Sequence, residues 1–132
     1  MNNRELLDQV FWSLLAGKRP EAQILDLNQR LNSSDAKWMM EYIEKLKGPE
    51  QYMDDLDEYI DADNAEMEII VEGFFKFVDL VSALIINLGE EAIREARNFD
   101  GSHSPYVPWV LKYCVDPRFR DQVFDSFPEL KS

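Results

Sequence analysis

The chain predicts an all-α fold, and three observations carry that expectation. Apolar residues recur at helical spacing almost from end to end. Cap residues, glycines and prolines bracket those periodic stretches at sensible lengths. No tight-turn dipeptide flanked by alternating apolar residues appears, so nothing reads as a β-hairpin. With 132 residues and 45% apolar composition, one domain over residues 1–132 can bury a sizeable core. The expected architecture is a bundle of six to eight helices around a long, central apolar helix.

The first helix is expected from Asn3 to Ala16, with Leu6, Leu7, Val10, Phe11, Leu14 and Leu15 inward and Gly17 as its stop. Pro20 suits the first turn of a second helix, which directs Ile24, Leu25, Leu27 and Leu31 to the core. Ser33 or Ser34 is expected to cap a third helix, Asp35 to Lys47, striped by Trp38, Met39, Tyr42, Ile43 and Leu46. Gly48-Pro49 ends it, and the chain up to that point carries no net charge.

A short acidic helix follows, Glu50 to Ala62, with Tyr52, Met53, Leu56, Tyr59 and Ile60 inward. Asp63 or Asn64 then caps the longest helix, Ala65 to Leu88. Its first half is amphipathic, with Met67, Ile70, Val71 and Phe74 on the inner face and Glu68, Glu72 and Asp79 continuing a polar stripe on which Lys76 is the one cation. Its second half is apolar nearly all round, which predicts full burial. Glu90 to Asn98 forms the next helix, with Ala92, Ile93 and Ala96 inward, and Phe99 to Ser104 is a loop. Ser104-Pro105 starts a further helix that offers Trp109, Val110, Tyr113 and Cys114 for packing and holds Pro108 in its first turn. Asp116-Pro117 starts the last helix, which reaches Phe124, and Phe127-Pro128 marks the tail.

The charge is unevenly placed. The chain has 14 basic and 26 acidic residues, a net of −12. Ten of the acids lie between Gly48 and Phe75, a stretch with no Lys, Arg or His. Like charges on neighbouring turns repel, so a local field of one sign has a cost that a basic partner would offset. The alternative is a solvated face that keeps the protein soluble, but such faces ordinarily mix signs. The expected partner-binding residues are Asp54, Asp55, Asp57, Glu58, Tyr59, Asp61, Asp63, Glu66, Glu68 and Glu72. Tyr52 and Tyr59 are seven apart, on one side of a helix. Both fit a core position with a wet hydroxyl, and Tyr59 also fits an interface anchor at the rim.

Several classes are disfavoured. Direct nucleic-acid binding needs clustered Lys and Arg, and an anionic membrane surface needs the same. The N-terminal apolar run is broken by Glu5 and Asp8, unlike a signal peptide. The run Phe77 to Leu88 is too short to span a bilayer. Cys114 is the single cysteine, so a reducing, cytoplasmic setting fits. The acids around Asp57 to Asp63 lack the glycine geometry of a calcium loop. His103 is the single histidine, so the Glu-x-x-His pairs of a di-metal bundle are not possible. Cys114 reads as a packed apolar residue and His103 as a solvated loop residue, and no phosphate-binding glycine loop is present. We therefore expect no enzyme activity, no cofactor and no metal.

The acid run YMDDLDEYIDADNAEMEIIVE, set beside apolar helices such as FFKFVDLVSALIINL, resembles the helical immunity proteins of bacterial contact-dependent growth inhibition systems. It is more distantly similar to the colicin nuclease immunity proteins. Their tyrosine-pair signature is not matched, so no binding residue is carried over from them. The resemblance implies a cytoplasmic inhibitor whose partner is the nuclease domain of a surface-delivered toxin, an RNase attacking tRNA. Two other readings use the same features: a nucleic-acid mimic that antagonises a DNA- or RNA-binding protein, and a helical adaptor with incidental acidity.

Overall fold

The structure, a computed structural model, describes residues 1–59, 67–101 and 103–131, the side chains of residues 57–59 excepted. It is all-α: 77% helical, with eight α-helices and no strand among the described residues. These are α1 (Asn3–Leu15), α2 (Glu21–Arg30), α3 (Ala36–Glu44), α4 (Met53–Tyr59), α5 (Met67–Leu88), α6 (Glu90–Arg97), α7 (Val107–Val115) and α8 (Pro117–Val123). Three 3-10 turns, Ser33–Asp35, Pro49–Tyr52 and Pro128–Leu130, join or extend them. No described helix is long and apolar enough to cross a membrane.

The chain divides into two compact units, Met1–Leu27 with Lys47–Phe77, and Asn28–Leu46 with Val78–Ser132. In the first, α1 buries Leu6, Leu7, Val10, Phe11, Leu14 and Leu15, the six expected positions. Asn2 caps it by accepting from the Glu5 amide at 2.8 Å. At its other end Gly17 takes φ +78°. The amides of Gly17 and Lys18 donate to the carbonyls of Leu14 and Ser13 at 3.0 and 2.9 Å, a complete Schellman closure. Phe11 is the hub of an aromatic cluster, with ring centroids 5.1 Å from Tyr52, 6.3 Å from Phe74 and 4.8 Å from Phe77, all edge-on.

In the second unit α3 packs on α6 and α7, α6 on α7, and α7 on α8. Met39, Met40, Ile43, Ala92, Ile93, Ala96, Val107, Val110, Cys114, Val123, Phe127 and Leu130 are buried there. From Leu80 to Ile85, α5 is buried without interruption, as its all-round apolarity requires. The buried Ser82 returns its hydroxyl to the Val78 carbonyl at 3.0 Å. Asn87 donates to Asn28 at 3.2 Å and to the Leu130 carbonyl at 2.9 Å, tying the tail to the end of α5. The Arg120 guanidinium donates twice to the Cys114 carbonyl, at 3.0 and 2.8 Å, and once to Glu90 at 3.3 Å. It thereby closes the open end of α7 and links α8 to α6.

Five local expectations are corrected. The cap before α3 is Asn32, not Ser33 or Ser34. Its side chain accepts from the Ser34 amide at 3.0 Å while Asp35 accepts from the Asn32 amide at 2.8 Å. A capping box opens a 3-10 turn there, and the α-helix starts later, at Ala36. Leu25 faces outward at 36% exposure, because Ile24, Leu27 and Leu31 already fill the inner arc. Met67 is outward too, at 39%. Ser104-Pro105 stands one turn before α7; the Ser104 hydroxyl accepts from the Tyr106 amide, and the helix begins at Val107 with Pro108 in its first turn. Asp79 does not continue the solvated stripe. It is half-buried and accepts from the Trp109 indole at 3.1 Å. The expected cap Asp63 or Asn64 lies outside the described residues.

Burial pushes the Asp79 carboxyl above its ordinary range, against the lowering effects of the Trp109 hydrogen bond and of Lys112. The folded protein therefore holds this proton to higher pH than the unfolded chain does. The corresponding stability is present at low pH and is lost as pH rises through the folded pKa. Asp79→Asn keeps an acceptor for Trp109 and removes the buried charge. The variant is expected to be slightly more stable than the parent at pH 7, with the difference vanishing by pH 3. Paired urea titrations at the two pH values check this, and a variant less stable at pH 7 overturns it.

Candidate protein-binding surface

The acidic helices are carried by an apolar underside. Tyr52 lies against Trp12 and Phe74 at 5.7 and 6.2 Å, and its hydroxyl accepts from the Lys47 amide at 2.9 Å. It is a packed residue with an exposed polar tip, which leaves it as support rather than contact. Leu56 is buried, one turn on. Together they seat α4 with Asp54 and Asp55 in solvent. On α5, Ile70 and Phe74 are buried, so Glu68 and Glu72 project outward.

Four of the ten expected residues are thus placed on exposed surface: Asp54 and Asp55 on α4, Glu68 and Glu72 on α5. Asp57, Glu58 and Tyr59 belong to α4 by their backbone, with side chains outside the description. Asp61, Asp63 and Glu66 lie outside the described residues. Among the described residues no group of three or more His, Cys, Asp or Glu side chains could hold a metal ion.

The electrostatics of the exposed four are partly self-compensating. Asp54 and Asp55 stand in the first turn of α4 and Glu68 in that of α5, where a carboxylate gains about 0.3–1 kcal/mol from the helix dipole. Glu68 and Glu72 are i,i+4 like charges, a cost of about 0.2–0.5 kcal/mol. The Lys76 ammonium, 3.0 Å from Glu72, repays a similar amount through a solvated bridge. For these four carboxylates the local gains more than offset the one like-charge cost, so the folded chain tolerates the ridge they form. What remains uncompensated is its field, which acts on whatever approaches.

Sequence reasoning missed a groove beside this ridge. The end of α1 and the first half of α5 enclose about 220 Å³ lined by Leu14, Gly17, Lys18, Arg19, Ile69, Glu72, Gly73 and Lys76. The helices come together at Gly73, where a Cβ would overlap the Leu14 carbonyl oxygen. Ile69, one turn before Gly73, is left 38% exposed over Gly17. The spacing Ile69, Gly73, Lys76 places all three on one helical face. That arrangement is readable in the sequence once Gly73 is taken as a contact point rather than a weak helix former.

The single cysteine lies in the core. Cys114 is buried, and burial pushes its thiol up to about 12, with Arg120 and Arg97 opposing. Relative to an ordinary thiol this lowers the thiolate population about a thousandfold at neutral pH. An aromatic disulfide reagent at pH 8 is expected to label Cys114 only after denaturation, in a time course followed by absorbance. Rapid labelling of the folded protein overturns the assignment.

No protein-family model, no curated protein and no solved structure matches this chain.

Proposed function

We propose that this chain is an immunity protein that binds and neutralises a cognate toxin acting in the cytoplasm, a nuclease domain of the RNase or tRNase class. The observation that carries the reading is the exposure of Asp54, Asp55, Glu68 and Glu72 on two helices from a stretch that has ten acids and no base. A nuclease presents a basic cleft for phosphate. An acidic helical face complements it and excludes substrate by occupying or overhanging it. The acids steer the encounter, raising association toward about 10⁸ M⁻¹s⁻¹ at low salt. Residence then depends on a few desolvated contacts within an interface of roughly 1,600 Å².

The test is affinity retention from the source cells at low and high salt, read by mass spectrometry. The expected result is one basic polypeptide that survives high salt and is toxic when produced without this protein. If the retained proteins are an assortment of nucleic-acid binders that all wash off with salt, the reading fails and the mimic or adaptor takes its place. With the partner in hand, the fourfold variant Asp54→Lys, Asp55→Lys, Glu68→Lys, Glu72→Lys is expected to slow association about tenfold or more at low salt and to flatten its salt dependence. Stopped-flow rates unchanged by all four reversals would exclude steering.

A further inference from the structure

The acidic ridge does not account for the groove beside it. The unit formed by Met1–Leu27 and Lys47–Phe77 has five Lys and Arg residues, Arg4, Lys18, Arg19, Lys47 and Lys76. Three of them, Lys18, Arg19 and Lys76, line this one groove together with a single acid, Glu72. The Schellman closure at Gly17 turns the chain so that Lys18 and Arg19 leave the axis of α1 at its rim. Between the cations the floor is apolar, made by Leu14, the exposed Ile69 and the bare backbone of Gly73. Its volume of about 220 Å³ is below the roughly 300 Å³ at which small-molecule pockets begin. It is the size of a side-chain anchor.

We propose that this groove receives an apolar side chain flanked by a carboxylate, from an acidic–apolar peptide segment of the protein partner. Charge complementarity chooses that occupant. Lys18 and Arg19 are exposed, and Lys76 is held by Glu72 in a solvated bridge that exchanges at little cost. A basic segment would meet three cations against the one carboxylate of Glu72, whereas a carboxylate gains charge-assisted bonds next to an apolar seat. An antagonist with an acidic ridge and a small basic-rimmed groove reads two signs of charge on its partner. That raises specificity over a purely acidic face, which any basic protein would satisfy. The inference rests on the reading of this chain as a partner-binding protein, not on the partner being a toxin.

The probe is an acetylated, amidated pentapeptide of alternating leucine and glutamate, titrated into the ¹⁵N-labelled full chain. Matched peptides replace glutamate with glutamine or with lysine. The expected result is saturable shifts of the Gly17 and Gly73 amides with the glutamate peptide, and about tenfold weaker binding when Lys18→Glu is introduced. Lys47→Glu, a cation of the same unit outside the groove, should change nothing. Equal binding of the glutamine peptide would overturn the proposal by making the groove merely apolar. Absence of shifts at Gly17 and Gly73 would also overturn it. Shifts there that grow with protein concentration alone would assign the groove to a second copy of this chain. None of these outcomes depends on the toxin: a failed retention experiment leaves the peptide titration standing, and a failed titration leaves the acidic ridge standing.

Discussion

Phe11→Ala is expected to lower the unfolding free energy by about 3–5 kcal/mol, the range for emptying a buried aromatic site. Phe11 is 1% exposed and meets Trp12, Tyr52, Phe74 and Phe77 edge-on, with centroids from 4.8 to 6.3 Å. Two effects add. Transfer of the ring to water accounts for about 2–3 kcal/mol. The lost edge-to-face pairs account for the rest, at about 0.5–1.5 kcal/mol each where the neighbours do not relax into the space. Four rigid neighbours, three of them aromatic rings fixed on other turns of the fold, collapse poorly. Against a total stability of about 5–15 kcal/mol for a domain of this size, the variant sits near the edge of folding. Urea unfolding followed by far-ultraviolet circular dichroism measures it. A loss below about 1 kcal/mol would mean that the cluster is peripheral. The functional consequence is direct: Tyr52 and Phe74 seat the two acidic helices, so loosening the hub unsettles the ridge before it abolishes the fold.

Gly73→Ala is expected to destabilise by about 2 kcal/mol, although alanine is the better helix former by about 1 kcal/mol. The two effects have opposite signs, and geometry decides between them. A methyl group at residue 73 would overlap the Leu14 carbonyl oxygen and press on the Leu15 Cα, 3.0 Å away. Both are backbone atoms inside α1, so no side-chain rotation relieves the overlap. The helices must separate, and separation unpacks Ile70, Phe74 and the buried face of α1. Overpacking of that kind costs about 1–3 kcal/mol or more, which outweighs the propensity gain. The denaturation midpoint should fall; a midpoint that rises would show that α1 and α5 are not in contact at this residue. The same substitution would widen the groove, so weaker binding of the glutamate peptide should accompany the loss of stability.

The periodic elements were legible because their evidence is local. The α1 core residues follow from spacing, and Gly17 and Asp116 are read correctly as stop and cap because each acts on backbone groups a few residues away. Asp116 receives the Arg118 amide at 2.9 Å, and the Arg118 guanidinium bonded to it holds its carboxyl below the usual range. The misplaced features share a different character. Leu25 is apolar and outward because Ile24 and Leu27 on the same helix already face the core, and Met67 is apolar and outward as well. Asp79 is charged and half-buried because Trp109, thirty residues on, supplies a donor. Ser33 and Ser34 are good cap residues displaced by Asn32, whose partner Asp35 completes a reciprocal pair. For Asp79 a non-local contact determined the outcome, and for the cap a competitor of nearly equal propensity did.

For the candidate surface the division is similar. That the acids are concentrated and that no cation shares their stretch are properties of the amino-acid order alone. Their number and sign set the field, and a field does not depend on fine geometry. Which acids stand outward, how Glu72 is paired, and that Lys18, Arg19 and Lys76 meet around Ile69 were decided by the packing of α5 on α1 through Gly73. Residues 18 and 76 are far apart in the chain, and no periodicity connects them. Only the close approach of two helices, allowed by a missing side chain, brings them to one groove.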